Sequence, residues 1–311
     1  QFAAALAPYL SRDELDARPP SVRLGAWIPI LYGGRKRRLR TRNIAFTTGD
    51  GPRVSLDVYQ PVEALAPGAK RPALVPIPGG AWILGDKREQ GIPLLNHMAA
   101  NGWVGFNVNY RLAPRAKAPE QLSDCKRAIA WIRAHAEEYG VDPDSICVTG
   151  GSAGGHLAAL CALTPNDPAF QPGFEEADTR LQGAVPFYGA YDMADTSLMI
   201  KGYRELFLEP YLFGSKFAVG ADPFERYSPI HHVRPDAPPM MVVHGTRDAL
   251  IPIEAARPFV AKLGEVSEHA VVWVELDGAQ HAFDVFPSPR CVRVIEHTER
   301  FLDAVHRGVI K

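Results

Sequence analysis

The segment Ile146-Cys147-Val148-Thr149-Gly150-Gly151-Ser152-Ala153-Gly154-Gly155 passes from a short apolar run into glycines, and from about Ala153 into an Ala/Leu-rich stretch. The run reads as a strand and the Ala/Leu stretch as a helix, which leaves the serine on the turn between them. Gly150–Gly154 fits G-x-S-x-G in the setting that motif requires, directly after a strand and directly before a helix. On such a turn the hydroxyl is held exposed, and small neighbours are needed because larger side chains would collide with the adjoining strand and helix. Two other readings compete: Ser152 as the cap of an ordinary helix, and a phosphate-cradling loop. A phosphate loop wants G-x-x-x-x-G-K-[ST], and no lysine follows here. Ser152 is the candidate nucleophile.

Strand and helix patterns alternate on both sides of this turn. Upstream, Val54, Leu56 and Val58 alternate with polar residues, and Ala73–Ile77 and Val104–Val108 suit strands buried on both faces. Leu122, Cys125, Ile129 and Ile132 recur at helical spacing and predict a helix over 120–138. Downstream, Gly183–Pro186, Met240–Val243 and Val271–Leu276 read as strands, with helices near 254–263 and 291–306. This order implies an α/β fold, a mostly parallel central sheet with helices on both faces. Residues 1–311 read as one domain. Asp192–Val233 breaks the alternation, is aromatic and Pro/Gly-punctuated, and is expected above the carboxyl edge of the sheet, where open α/β sheets bind ligands.

A serine hydroxyl needs a base, expected late in the chain. His281 lies in Asp277-Gly278-Ala279-Gln280-His281-Ala282-Phe283, a loop just after the last predicted strand. His156 falls on the helix after the serine and faces a core or cap; His244 supports the loop after its strand. His231-His232 have no metal-ligand spacing. The base in turn needs an acid. Asp248, in His244-Gly245-Thr246-Arg247-Asp248, follows a strand and precedes the histidine; Asp192 and Asp277 are its rivals. Donors for a developing oxyanion are expected from Gly80 and Ala81 in Pro78-Gly79-Gly80-Ala81-Trp82, which follows a strand, and from Ala153 after the serine.

These pieces, with Asn109-Tyr110-Arg111-Leu112-Ala113-Pro114, resemble in residues and order the hormone-sensitive-lipase-like (bacterial family IV) carboxylesterases of the α/β-hydrolase superfamily, and are similar to actinobacterial esterases and lipases. The resemblance implies a serine esterase acting on short- to medium-chain acyl esters. It also implies a helical cap contributed by about 1–40 and 192–233, whose aromatic residues Tyr203, Phe207, Tyr211, Phe213 and Phe217 could line a pocket, although aromatic side chains at such spacing are more often core, and none is named as a specificity residue. Two departures stand out. Pro78 replaces the histidine that usually opens the oxyanion loop, and Gly151 replaces the acidic residue that usually precedes the serine. An amidase or arylformamidase would use the same triad on a C–N bond. A non-catalytic binding protein on this fold usually lacks a triad residue, whereas here serine, aspartate and histidine are all in place.

Composition narrows the rest. With 34 Lys+Arg against 35 Asp+Glu the chain has no overall field to draw nucleic acid. Cys125, Cys147, Cys161 and Cys291 lack zinc or redox spacing, and neither cofactor nor metal is expected. No apolar run reaches a membrane span, although a start at Gln1 leaves an upstream anchor, and a cytoplasmic or envelope-associated location, open. Arg35–Arg42 carries six cations in eight positions and suggests a peripheral contact with an anionic membrane, against the plainer reading of a solvated segment.

Overall fold

The computed structural model describes residues 1–17, 38–47, 54–197, 201–218, 223–286 and 288–311. The strands β1 (Arg38–Ala45), β2 (Ser55–Pro61), β3 (Arg71–Ile77), β4 (Val104–Val108), β5 (Val141–Gly151), β6 (Gly183–Phe187), β7 (Met240–Gly245) and β8 (Val271–Leu276) form one sheet in the order β1-β2-β4-β3-β5-β6-β7-β8. Its β1–β2 and β2–β4 pairings are antiparallel, and the pairings from β4 through β8 are parallel. In β4, β6 and β7 every residue is buried, as expected for parallel strands covered on both faces. At the β8 edge burial alternates.

Alternate residues divide the core. Ala73, Val75, Val148 and Val242 pack with α4 (Glu120–Ala134), α5 (Ala153–Leu163) and α6 (Arg257–Val266) on one face. Leu74, Cys147, Val185 and Val243 pack with α3 (Ile92–Ala100) and α7 (Pro289–His306) on the other. Each large aliphatic side chain so buried contributes about 1.5–3 kcal/mol. The helix predicted over 120–138 stops at Ala134, and the one near 254–263 begins at Arg257, where Pro258 suits the first turn.

The polar strand β1 (RLRTRNIA) has no apolar alternation to predict it. It is held by a bulge between Thr41 and Ile44, at which Asn43 takes φ 56°. Asp57 accepts from Asn43 N at 2.9 Å, from Arg40 at 2.7 Å and from the buried Lys87 ammonium at 2.6 Å. Arg40 thus turns inward from the basic cluster, and Arg35–Arg37 lie outside the described residues.

Helices α1 (Phe2–Leu6) and α2 (Arg12–Asp16) belong to the segment 1–40 expected in the cap. Residues 1–17 run along β8 and α7. Phe2 stacks on His297 at 4.6 Å, and Tyr9 Oη donates to Val271 O at 3.2 Å. The 192–233 insertion contains a π-helical segment, Arg204–Phe213, and a 3-10 turn, Pro229–His232. Within it Phe213 packs on Phe224 at 4.0 Å and on Tyr227 at 5.9 Å, and Phe217 on Phe224 at 5.2 Å. Phe213 and Phe217 therefore build the insertion's own core.

Candidate active site

β5 ends at Gly151, Ser152 has φ 58° and ψ −123°, and α5 starts at Ala153. Such a backbone costs a non-glycine residue on the order of 1–3 kcal/mol and persists only where the surroundings enforce it. Here Ser152 N donates to Phe187 O at 3.0 Å, and α5 is pressed so closely on β3 that a Cβ at Gly154 would lie 2.1 Å from Ile77 O. The serine side chain accepts no bond from the helix N–H groups, unlike an ordinary helix cap.

The departure at Gly151 has a steric cause. A Cβ there would lie 2.4 Å from Tyr188 Oη and 2.7 Å from Cζ. Tyr188 occupies the space beside the elbow that a side chain at 151 would need. Gly151→Ala is expected to cost about 1–3 kcal/mol of stability as the ring is pushed aside, read as a lower urea midpoint with an unchanged slope.

His281 Nδ1 donates to Asp248 Oδ2 at 2.7 Å, which leaves Nε2 as the unprotonated nitrogen; Nε2 has no protein partner among the described residues. Leu250 N and Ile251 N donate to Asp248 Oδ1 at 2.9 and 2.8 Å, and His244 Nε2 stands 3.4 Å from Oδ2 while also facing Ile251 O at 2.8 Å. Burial works to raise the Asp248 pKa, but the hydrogen bonds from His244, His281 and Ile251 outweigh it and hold the carboxyl well below the usual range. The rivals are engaged elsewhere. Asp192 Oδ1 accepts from Ala194 N and Asp195 N, both at 2.9 Å, in a tight turn, and Asp277 Oδ1 accepts from Thr246 Oγ1 at 3.4 Å.

In the loop after β3, Gly80, Ala81 and Trp82 have φ 118°, 55° and 60°. Ile83 N and Leu84 N both donate to Gly80 O, at 3.1 and 2.8 Å, and Ala113 N donates to Trp82 O at 2.8 Å. These bonds fix the loop through its carbonyls, and the N–H groups of Gly80 and Ala81 have no protein acceptor among the described residues. Ala153 N stands at the first position of α5, where a helix has spare donors.

With Pro78 in the first position, support for this loop comes from other side chains. Gln90 clamps Gly79 by accepting from its N at 2.8 Å and donating to its O at 3.3 Å, and Tyr110 Oη donates to Pro78 O at 2.9 Å. Trp82 Nε1 donates to His156 Nδ1 at 3.3 Å, and His156 Nε2 donates to Tyr227 O at 2.7 Å. His156 thus joins the loop, α5 and the insertion.

Burial pushes the His156 pKa down to about 3, despite the favourable bond to Tyr227 O. The unfolded chain, with a histidine pKa near ~6.5, takes up this proton first as pH falls. The stability carried by neutral His156 is therefore full above about pH 6.5 and lost between there and about pH 3, at about 1.4 kcal/mol per unit. The stability gap between wild type and His156→Gln should narrow by about 2 kcal/mol from pH 7 to pH 5, measured by urea unfolding.

Sequence reasoning missed Gln90, Tyr188 and Asp284. Gln90 and Tyr188 sit in unremarkable contexts, and Asp284 follows the quoted His281 stretch directly. Only the departures at Pro78 and Gly151 signalled that substitutes had to exist. Among the described residues, no cluster of three or more His, Cys, Asp or Glu could hold a metal, and no helix is long and apolar enough to cross a membrane.

The family described as BD-FAE matches residues 56–263. Among curated proteins of Mycobacterium tuberculosis (strain ATCC 25618 / H37Rv), the chain is 48% identical over 235 residues to the probable carboxylic ester hydrolase LipM, a match covering 76% of this chain and 54% of LipM. It is 41% identical over 274 residues to the esterase LipQ (88% and 65%) and 38% identical over 306 residues to the esterase LipC (98% and 75%). The chain thus spans just over half of LipM and just under two thirds of LipQ. Among solved structures it is similar to a thermophilic esterase from Thermogutta terrifontis, Est2, with propionate bound. That match has 27% identity and a TM-score of 0.70, covering 86% of this chain and 95% of that one. The same esterase phosphonylated by sarin matches with a TM-score of 0.73 at 26% identity, again covering 86% and 95%. With this sheet, this elbow and a family match over more than half its length, the chain belongs to the BD-FAE family of α/β-hydrolase-type proteins and is similar to LipM, LipQ and LipC.

Proposed function

We propose that the protein is a serine carboxylesterase working through Ser152, His281 and Asp248. The observation that carries this reading is the Asp248–His281 bond of 2.7 Å, which presents an unprotonated Nε2 on a loop at the same sheet edge as the strained Ser152. Ser152 Oγ attacks the ester carbonyl while His281 Nε2 takes its proton. Asp248 holds the imidazole in the tautomer this requires and stabilises the imidazolium. The N–H groups of Gly80, Ala81 and Ala153 face the oxyanion, each worth about 10²–10³ in rate. His281 then protonates the leaving alcohol, and water attacks the acyl-enzyme by the same route in reverse. The names of the relatives support this chemistry, as esterases or as a probable ester hydrolase.

The insertion 192–233 is assigned as the cap over this edge. Short- to medium-chain soluble esters are the proposed substrates. Across p-nitrophenyl esters from acetate to palmitate, kcat/KM should peak at a short or medium chain. Faster turnover of emulsified long-chain triglyceride than of a soluble butyrate ester would overturn the size assignment.

A further inference from the structure

His281 has a second support that the triad does not use. Tyr188, just past β6, is buried at 2% exposure, takes φ 34°, and sets its ring centroid 4.6 Å from that of His281 at 59°. Phe283 meets the same ring edge-on at 4.9 Å. The Tyr188 hydroxyl donates to Asp284 Oδ1, and Cys291 Sγ contacts Asp284 O at 3.2 Å, tying this loop to α7. Tyr188 therefore touches three things at once: the elbow through Gly151, the imidazole through its tilted ring, and the histidine loop through Asp284.

Packing alone does not call for this arrangement. A phenylalanine would fill the ring's place without drawing a carboxyl group, here half-buried, partly out of water, a transfer that is unfavourable unless the group is bonded. Burial raises the pKa of both groups, that of Tyr188 further through the Asp284 charge, so the phenol keeps the proton that it donates. Asp284 also lines a small cavity of about 30 Å³ behind the elbow, with Thr149, Gly151 and Thr298.

We propose that Tyr188 and Asp284 are a positioning pair for His281: their hydrogen bond locks the tyrosine ring, and the ring packed against the imidazole holds it in line with Ser152 through the catalytic cycle. In this chain the Tyr188 hydroxyl stands in the space of a side chain at 151, the position at which the resemblance places an acidic residue before the serine. The proposal rests on His281 being the base. Displacement of a reacting group by about 1 Å can cost on the order of 10²-fold in rate, so loss of the lock should act on turnover and leave substrate binding alone.

The test compares Tyr188→Phe, Asp284→Ala, the double variant and Asp284→Asn on p-nitrophenyl butyrate. Active sites are counted by the stoichiometric p-nitrophenol burst from diethyl p-nitrophenyl phosphate. Turnover per titrated site should fall on the order of 10- to 100-fold in Tyr188→Phe and in Asp284→Ala, with KM within about twofold. The double variant should be no worse than either single, as expected of two residues acting as one unit. Asp284→Asn, whose amide oxygen still accepts from the tyrosine, should keep most of the activity.

Full turnover per titrated site in Tyr188→Phe, losses that multiply in the double variant, or a loss seen only as fewer titratable sites would each overturn the proposal. Should Tyr188→Phe fail to fold, Asp284→Ala against Asp284→Asn decides: equal turnover per titrated site overturns it. Ser152→Ala, run alongside, separates the two levels. Activity retained there removes the triad reading itself, whereas its loss together with an unaffected Tyr188→Phe removes only the positioning role.

Discussion

Ser152→Ala lowers hydrolysis of p-nitrophenyl butyrate by a factor on the order of 10⁶ in kcat, while the folded state persists. The size of the fall follows from the absence of any other route. Without Oγ no acyl-enzyme forms, and the oxyanion donors can only assist direct attack by water, which leaves on the order of 10³–10⁴ over the uncatalysed rate. Folding is spared because the serine side chain caps nothing and its backbone conformation is imposed from outside, by the bond to Phe187 O and the close seating of α5. An alanine there has the same Cβ. Ser152→Gly, free of the penalty at φ 58°, should even raise the melting temperature, corresponding to about 1 kcal/mol. Activity that survives in Ser152→Ala would mean a different nucleophile. A folded wild type inert on every ester would shift the substrate to an amide and then to a ligand bound without turnover.

Asp248→Asn is expected to reduce kcat on the order of 10⁴-fold with a far smaller change in KM. The mechanism is the tautomer. The carboxylate accepts from His281 Nδ1 at 2.7 Å while its other oxygen accepts from Leu250 N and Ile251 N. An asparagine keeps its oxygen on the two backbone donors, so its amide N–H₂ faces His281, forcing the proton onto Nε2 and removing the base. The same substitution tests linkage. Because the native carboxyl is held below its ordinary pKa, its contribution to stability is complete above about pH 5 and lost as pH falls through and below the unfolded value near ~3.9. Unfolding midpoints of wild type and Asp248→Asn should therefore converge as the pH is lowered. A constant difference down to pH 3 would contradict the hydrogen-bond account of Asp248.

The placement of Ser152, Asp248 and His281 at the carboxyl ends of β5, β7 and β8 is legible in the sequence because each follows a mostly apolar run, buried throughout in β7 and alternating at the β8 edge, and strands leave those marks. Chain order favours Asp248 over Asp192 and Asp277, but only geometry shows the other two turned to Ala194 and Thr246. β1 is illegible for the opposite reason: its inward group is Arg40, paired with Asp57, so burial there has no hydrophobic signature. Gln90, Tyr110 and Tyr188 act across 11, 32 and 96 positions on Gly79, Pro78 and Asp284, separations over which no local pattern links the partners.

The contact between Gly151 and Tyr188 also limits the order in which substitutions can accumulate. An acidic residue cannot enter at 151 while the tyrosine hydroxyl stands 2.4 Å from its Cβ, and removing the tyrosine first leaves Asp284 without its donor. Descent between this form of the elbow and the acidic form therefore crosses a fitness valley unless position 188 shrinks and position 284 loses its charge before 151 changes. Related chains should carry these three positions as a linked set, with mixed combinations rare.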